Sequence, residues 1–321
     1  MNLDFPKAEI HLHLEGTIEP QTLCELAARR HVALTEEEVA GRYRYADLLG
    51  FLQAFKWVTQ YLQTPEDYQI AALRMFEKLH RQNVVYAEVY FSAGICLWKG
   101  MEVDPIFDAL EEARRRAEAD WGIRARWIFD AVRQFGIEAA ERVFRLAARW
   151  QHRHVVGVGI GGDEKRGAPA MFQTLFEAAR SAGLRLLAHA GENTGPEFIW
   201  ESIRKLGAQR IGHGVSAICD PALVQYLRDT QIPIEVCVTS NYATGVVAPG
   251  AEHPVRRMFD AGLLVVINSD DPAMFGTTLN DEYRRLVERH GFTEAEIAVL
   301  AQNSFQAAFL TEQERQEFLK A

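Results

Sequence analysis

The chain has 321 residues, 48% of them hydrophobic, with a net charge of −9 at neutral pH and four cysteines. That is enough apolar matter for one large core, and the negative balance argues against a nucleic-acid partner, whose footprint is basic. No apolar run approaches the ~20 residues that span a bilayer. The N-terminus lacks the basic-then-apolar pattern of a secretory signal, and the cysteines (Cys24, Cys96, Cys219, Cys237) form no CxxC pair, so a cytoplasmic protein with reduced thiols is expected.

The first strand is predicted at 8–13 (AEIHLH), inside the stretch HLHLEG at 11–16. A long span from about 20 to 80 follows, holding several helices before the second strand. Its segment YADLLGFLQAFKWVTQYLQTPEDY is unusually aromatic. Two readings fit it: an ordinary helical connector, or a lid over a site, where closure excludes water. Strands are then predicted at 84–91, 123–130, 154–160, 184–189, 209–213, 232–238 and 263–269. Amphipathic helices lie between them, as at 104–120 and 170–182, with apolar residues three and four apart. Gly183 and Gly207 punctuate helix ends before the next strand. Alternating strands and helices predict βαβ units and a parallel sheet, and eight strands close a (β/α)8 TIM-type barrel with a helical insertion after the first strand. No linker, repeat or low-complexity segment interrupts 1–321, so one domain is expected.

In such a barrel the active site is built from the C-terminal ends of the strands, and the out-of-place polar residues fall there. His11 and His13 end strand one on a shared face, because alternate strand residues point the same way. His189 ends strand five in LLAHAGEN, followed by Glu192; His213 ends strand six in RIGHG; Asp270 and Asp271 end strand eight in VINSDDP. A catalytic metal needs three or four N or O ligands and an open position. His11, His13, His189 and Asp270 supply that mixture, which suits zinc and also iron(II), manganese or cobalt. The ion lowers the pKa of its water towards ~7. His213 is placed to orient that water and shuttle its proton, and Glu192 to deliver a proton to a ring nitrogen. The pattern reads as metal-assisted hydrolysis.

Two other motifs occur in the chain but lack the context they require. GVGIGG at 157–162 matches the dinucleotide fingerprint, but DEKRGAP follows where a helix should start. HLE at 13–15 matches the HxE of cytidine-deaminase-type zinc enzymes, whose PCxxC is missing.

From PKAEIHLHLEG through GGDE, HAGE, RIGHG and TSNYATGVV to NSDDP, the segments resemble, in order and over nearly the whole chain, the adenosine deaminase branch of the amidohydrolase superfamily. The resemblance implies a (β/α)8 barrel with one divalent metal, usually zinc, that attacks C6 of a 6-aminopurine with metal-bound hydroxide and releases ammonia. It implies His11, His13, His189 and Asp270 as metal ligands, Glu192 as the proton donor to purine N1, and His213 beside the hydroxide. Asp271 would meet N7 and the Gly162 amide N3. Strand four ends in glycines rather than a bridging lysine, which fits a single metal. Asp163 and Glu164 also read as a structural loop pair, and Ser240 and Asn241 as braces of strand seven.

The substrate is where the resemblance divides. Adenosine deaminases usually carry HLDG, whose aspartate reaches the ribose; this chain has Glu15, as adenine and aminodeoxyfutalosine deaminases do. Free-base adenine deaminases, however, tend to have a serine–glutamate pair in place of GGDE and lack the TSNxxTG run at 239–245. The mixture points to a small-molecule purine nucleoside with an altered 5′ end, aminodeoxyfutalosine or adenosine. Arg166 or Lys56 is available to pair with a substrate carboxylate, although either also reads as a solvated surface charge. The alternatives are free-base adenine deamination and a catalytically silent purine-binding barrel.

Overall fold

A computed structural model of the protein describes residues 3–320. Its eight strands are β1 Lys7–His13, β2 Val84–Phe91, β3 Arg124–Val132, β4 Val155–Gly161, β5 Arg185–Ala190, β6 Arg210–His213, β7 Ile234–Val236 and β8 Val265–Ile267. They pair in parallel in chain order, and helices on the return path of each connection clothe the outside. The result is a (β/α)8 barrel. Among the described residues no helix is long and apolar enough to cross a membrane.

All eight strands begin and end within two residues of the predicted bounds. The last two are shorter, and the reason is local. After β7 the chain turns at Cys237 into a short helix, Val238–Ala243. After β8 a side chain takes over the ladder: Asn268 Oδ1 accepts the amides of Ile10 (2.9 Å) and His11 (3.0 Å). The seam between β8 and β1 is completed by a single bridge, Leu12–Asp270, and by the Ser269 amide bonding the Glu9 carboxylate at 3.0 Å. Barrel closure and the predicted metal-binding aspartate therefore share one position.

The span after β1 resolves into four helices: α1 Pro20–Ala28, α2 Glu36–Arg42, α3 Leu48–Thr59 and α4 Pro65–Arg81. Caps explain their starts. Thr35 and Thr64 form capping boxes with Glu38 and Asp67, and Asp47 accepts the Gly50 amide. α4 is the covering helix of the first βαβ unit; it buries Tyr68, Ala72, Met75 and Phe76 beneath the helix Val103–Trp121 and β2. α3 instead crosses the mouth. Its Phe51 stacks on Phe275 with ring centroids 4.9 Å apart, Tyr45 just before it donates to the Met274 carbonyl at 2.8 Å, and Leu49 is 62% exposed. The predicted helix 170–182 is a 3-10 turn, Pro169–Phe172, leading into an α-helix, Gln173–Ser181.

Candidate active site

The strand ends bring the predicted residues to one pole of the barrel. His11 and His13 point into the lumen from β1, with rings 5.3 Å apart, while Leu12 between them packs outward into the helical core. His189 reaches in from β5, His213 from the end of β6, and Asp270 from the turn after β8. His213 and Asp270 both adopt left-handed backbone, with φ of +61° and +66°. For non-glycine residues that conformation is uncommon and costs about 1–3 kcal/mol; here it aims both side chains at the barrel axis.

Around that axis the donor atoms are close. His13 Nε2 lies 3.2 Å from His189 Nε2, and Asp270 Oδ1 lies 3.4 Å from the Nε2 atoms of both His11 and His13. A tetrahedral cation with ligand bonds of ~2.0–2.1 Å has donor–donor edges of about 3.3–3.4 Å. The buried Nε2 of His11 has no hydrogen-bond partner, because its Nδ1 faces Glu235 Oε2 at 2.7 Å. That carboxylate accepts the Nδ1–H hydrogen bond, so the lone pair of Nε2 becomes available to an ion once the ring gives up its second proton. The donor set fits a divalent metal. His213 lies beside this set, its donor atom within 4.8 Å of those of His11, His189 and Asp270 and its Nε2 3.9 Å from Asp270 Oδ2 and from Glu192 Oε2.

Electrostatics sorts the same groups. Burial lowers the His11 imidazole, but bonds and charges from Asp270 and Glu235 outweigh it and carry the ring up to about 10. The proton held there sits where a cation would take its place. Burial pulls His13 down to about 3 and His213 to about 4, so both are neutral. Asp270 is held well below the usual carboxylate range by His11 and His213 despite its burial. Burial, then the charge of Asp270, pushes Asp271 well above that range, and burial, then Glu164 and Asp270, does the same to Glu192. Both shifts favour the protonated, donor form of these carboxyls.

The loops are held from behind. Glu164 of GGDE is buried and accepts the amides of Gly191 and Glu192, each at 3.1 Å, and the Thr194 hydroxyl; its role is structural, and it fixes the loop that carries Glu192. Asp163 caps the turn that follows. Gly162 has φ +92°, and a Cβ there would lie 2.4 Å from Gln134 Oε1, so glycine is needed to bring its backbone against the cavity. Gly16 leaves room for Asp271, whose Oδ1 would sit 1.8 Å from a Cβ at that position. Asn241 lies outside β7, on the following helix, and contacts His213, so it braces that histidine rather than the strand. Glu15 lies one layer behind the cavity wall: it accepts the amide of Ser92, a lining residue, at 3.1 Å, and burial raises its carboxyl to about 7.

Several contributors escaped the sequence reading. Below the histidines, Arg210 pairs with Glu88 and Glu235 at 2.6 Å each, all fully buried. Asp130, on β3, lines the cavity with one buried oxygen unpartnered, in space left by Gly159 and Gly161. The signal for these was present: Glu88, Asp130, Arg210 and Glu235 are charges within otherwise apolar strands, and buried charges need partners or a ligand.

A cavity of about 400 Å³ opens above the histidines, within the range that holds a small organic ligand. His13, His189, Glu192, His213, Asp270 and Asp271 line its inner end. Phe55 and Lys56 of α3, with Ile95, Trp98, Phe135 and Arg166, also line it. Trp98 stacks on Phe135 at 5.7 Å, and Lys56 Nζ lies 5.0 Å from the Trp98 ring.

The adenosine deaminase family model matches residues 6–321. An aminodeoxyfutalosine deaminase of Streptomyces avermitilis is 41% identical over 310 residues, covering 95% of this chain and 87% of that one. Among solved structures, an adenine deaminase from Arthrobacter aurescens superposes with a TM-score of 0.94 at 31% identity, over 98% of this chain and 97% of its own. A zinc-bound amidohydrolase from Burkholderia ambifaria superposes with a TM-score of 0.92 at 25% identity, over 99% and 89%.

Proposed function

The chain belongs to the adenosine deaminase family, and on that footing we propose that it deaminates a 6-aminopurine nucleoside whose 5′ end carries a flat acidic group, namely aminodeoxyfutalosine. The observation that carries this reading is the lining of the cavity. Phe55, Ile95, Trp98, Phe135, Lys56 and Arg166 line the same cavity as Glu192 and Asp271, so a purine seated against those two carboxyls has aromatic and cationic side chains available to its remaining substituent. An aromatic carboxylate matches that lining, ring against rings and anion against cations. A free base leaves that lining unused. The 41% identical relative named for that substrate supports the same choice.

In this reading His11, His13, His189 and Asp270 hold one divalent cation, zinc as in the solved neighbour. When bound, such an ion lowers the pKa of a coordinated water towards ~7 and so makes a nucleophile available at neutral pH. The chain's own residues do the rest. Glu192, held protonated, transfers its proton to purine N1 and makes C6 electrophilic. Asp271, also protonated, donates to N7, and the Gly162 amide meets N3, so the ring is fixed along three edges. His213 faces the attacking oxygen. One water adds at C6, a proton from that water passes to N6, the C6–N6 bond breaks and ammonia leaves, with the second water proton restoring the acid form of Glu192, so that one water is consumed for each ammonia released. Glu15 acts through Ser92, setting the wall along which the sugar lies, and α3 is the lid.

The test is ammonia release by the zinc-loaded enzyme, with kcat/KM compared for aminodeoxyfutalosine, adenosine and adenine. Aminodeoxyfutalosine is expected to lead by at least 100-fold, and Lys56→Gln to lower that value about tenfold while leaving adenosine unchanged, the worth of one charge-assisted contact. Adenosine in the lead would make that lining irrelevant and overturn the substrate. Adenine in the lead would favour the alternative that the Arthrobacter neighbour's name suggests.

A further inference from the structure

Two histidines of the site have opposite partners behind them. Behind His11 stands a carboxylate, Glu235, which can only accept. Behind His213 stands an amide: Asn241 Nδ2 lies 3.2 Å from His213 Nδ1. Asn241 Oδ1 in turn lies 3.1 Å from His253 Nε2, and His253 Nδ1 accepts the backbone N–H of Val255 at 3.0 Å. All three side chains are essentially buried, with His253 and Asn241 at 0% and His213 at 2% exposure.

Proton accounting along this row starts from the Val255 N–H, which is a donor whatever the side chains do. His253 Nδ1 must then offer a lone pair, and the single proton of a neutral imidazole sits on Nε2. That N–H points at Asn241, so the amide must turn its oxygen to His253 and its NH2 to His213. His213 Nδ1 is therefore an acceptor, and its own proton sits on Nε2, facing Glu192 and Asp270. Burial, aided by the neighbouring His290 and His213, holds His253 down to about 3 and keeps it neutral.

We infer that Asn241 and His253 are positioning residues that lock His213 in the Nε2–H tautomer, so that it enters the reaction as a hydrogen-bond donor and not as a base or a metal ligand. Distance alone would admit His213 to the ion, since His11, His189, His213 and Asp270 have donor atoms within 4.8 Å of one another. The relay removes its Nε2 lone pair and so leaves that place to His13. A donor already aimed at the attacking oxygen stabilises the negative charge that builds on it, at no reorganisation cost. This modifies the role expected from the sequence, in which His213 also shuttles the water's proton. The inference rests on the deaminase reading only for the identity of the oxygen; the tautomer is a property of the resting protein.

The experiment is 15N-histidine NMR on the zinc-loaded protein, with the His213 signals assigned by their loss in His213→Gln. The expected result is an Nε2–H tautomer. Asn241→Asp replaces the amide donor by an acceptor and should convert neutral His213 to Nδ1–H. Its kcat should fall about 10²–10³-fold, the worth of one lost donor to a developing oxyanion, with KM little changed and activity partly recovered at lower pH, where the imidazolium regains Nε2–H. Should a buried aspartate prevent folding, His253→Leu serves in its place: it frees the amide to turn, and a population of the Nδ1–H tautomer should appear. An Nδ1–H tautomer in the parent, or an unchanged His213 tautomer in whichever variant folds, overturns the relay. A parent that deaminates no purine overturns the functional reading and leaves the tautomer result standing.

Discussion

Glu192→Gln separates proton transfer from every other property of the site. The substitution is close to isosteric and leaves the anchoring of the loop intact, since Glu164 holds residue 192 through its backbone amide at 3.1 Å. It keeps an N–H to aim at purine N1 but removes the transferable proton. In the parent, burial, with Glu164 and Asp270 nearby, raises the carboxyl well above its ordinary value and so favours retention of that proton. General acid catalysis contributes about 10²–10⁴-fold, equivalent to about 3–5 kcal/mol of barrier at 1.36 kcal/mol per decade, so kcat should fall by that factor with metal content unchanged. The parent's kcat/KM should decline as pH rises through the Glu192 pKa, because the acid form is the active one, and this basic limb should be missing from the residual activity of the variant. The assay is ammonia release across pH, with zinc measured on the same samples. Turnover within threefold of the parent in a zinc-loaded Glu192→Gln enzyme would refute the assignment of Glu192 as acid.

Asp270→Ala should lose metal affinity and activity together, read by zinc content after dialysis; retention of both would dismantle the ligand set. Zinc binding should tighten by about tenfold per pH unit between pH 6 and 8, because the proton carried by His11, whose pKa is raised to about 10, must leave as the ion enters. Chelator competition at the two pH values measures this, and a flat profile would contradict it. Gly16→Ala forces Asp271 out of place, since a Cβ would lie 1.8 Å from its Oδ1; a loss of about 10² in kcat/KM with zinc retained is expected. Asp67 is buried, pairs with the partly exposed Arg29 and Arg30 and accepts the amides of Gln63 (2.9 Å) and Thr64 (2.8 Å), so Asp67→Ala should cost about 1–3 kcal/mol in denaturant unfolding. Although burial opposes them, Arg30 and those amides hold the Asp67 carboxyl below its usual range. Its stabilisation is therefore complete above about pH 4 and fades as pH falls through the folded value, a dependence the alanine variant should lack.

How much of this was legible beforehand follows from the range of the forces involved. Strand and helix periodicity, turn glycines and polar residues at strand ends are local properties, and they located the barrel, its order of strands and the residues at its pole. His11, His13, His189, Glu192, His213, Asp270 and Asp271 were all named from their places in the chain, because a parallel barrel sends every strand's C-terminal end to the same face. The tertiary structure decided what no local pattern encodes. Glu235 and Asn241 lie only six residues apart, yet one meets Nδ1 of His11 and the other Nδ1 of His213, because only packing says which imidazole each side chain meets. Arg210, Glu88 and Glu235, on three different strands, become one buried charge network only when the sheet closes. Glu15, read as a contact at the substrate's 5′ end, lies behind Ser92. The part of the cavity proposed to select the substrate is lined from α3, the helix Ala93–Trp98 and the loops after β3 and β4. Chemistry at a single position is a property of the residue, whereas proton placement and cavity shape depend on pairs of residues far apart in the chain, and those pairs exist only once the chain has folded.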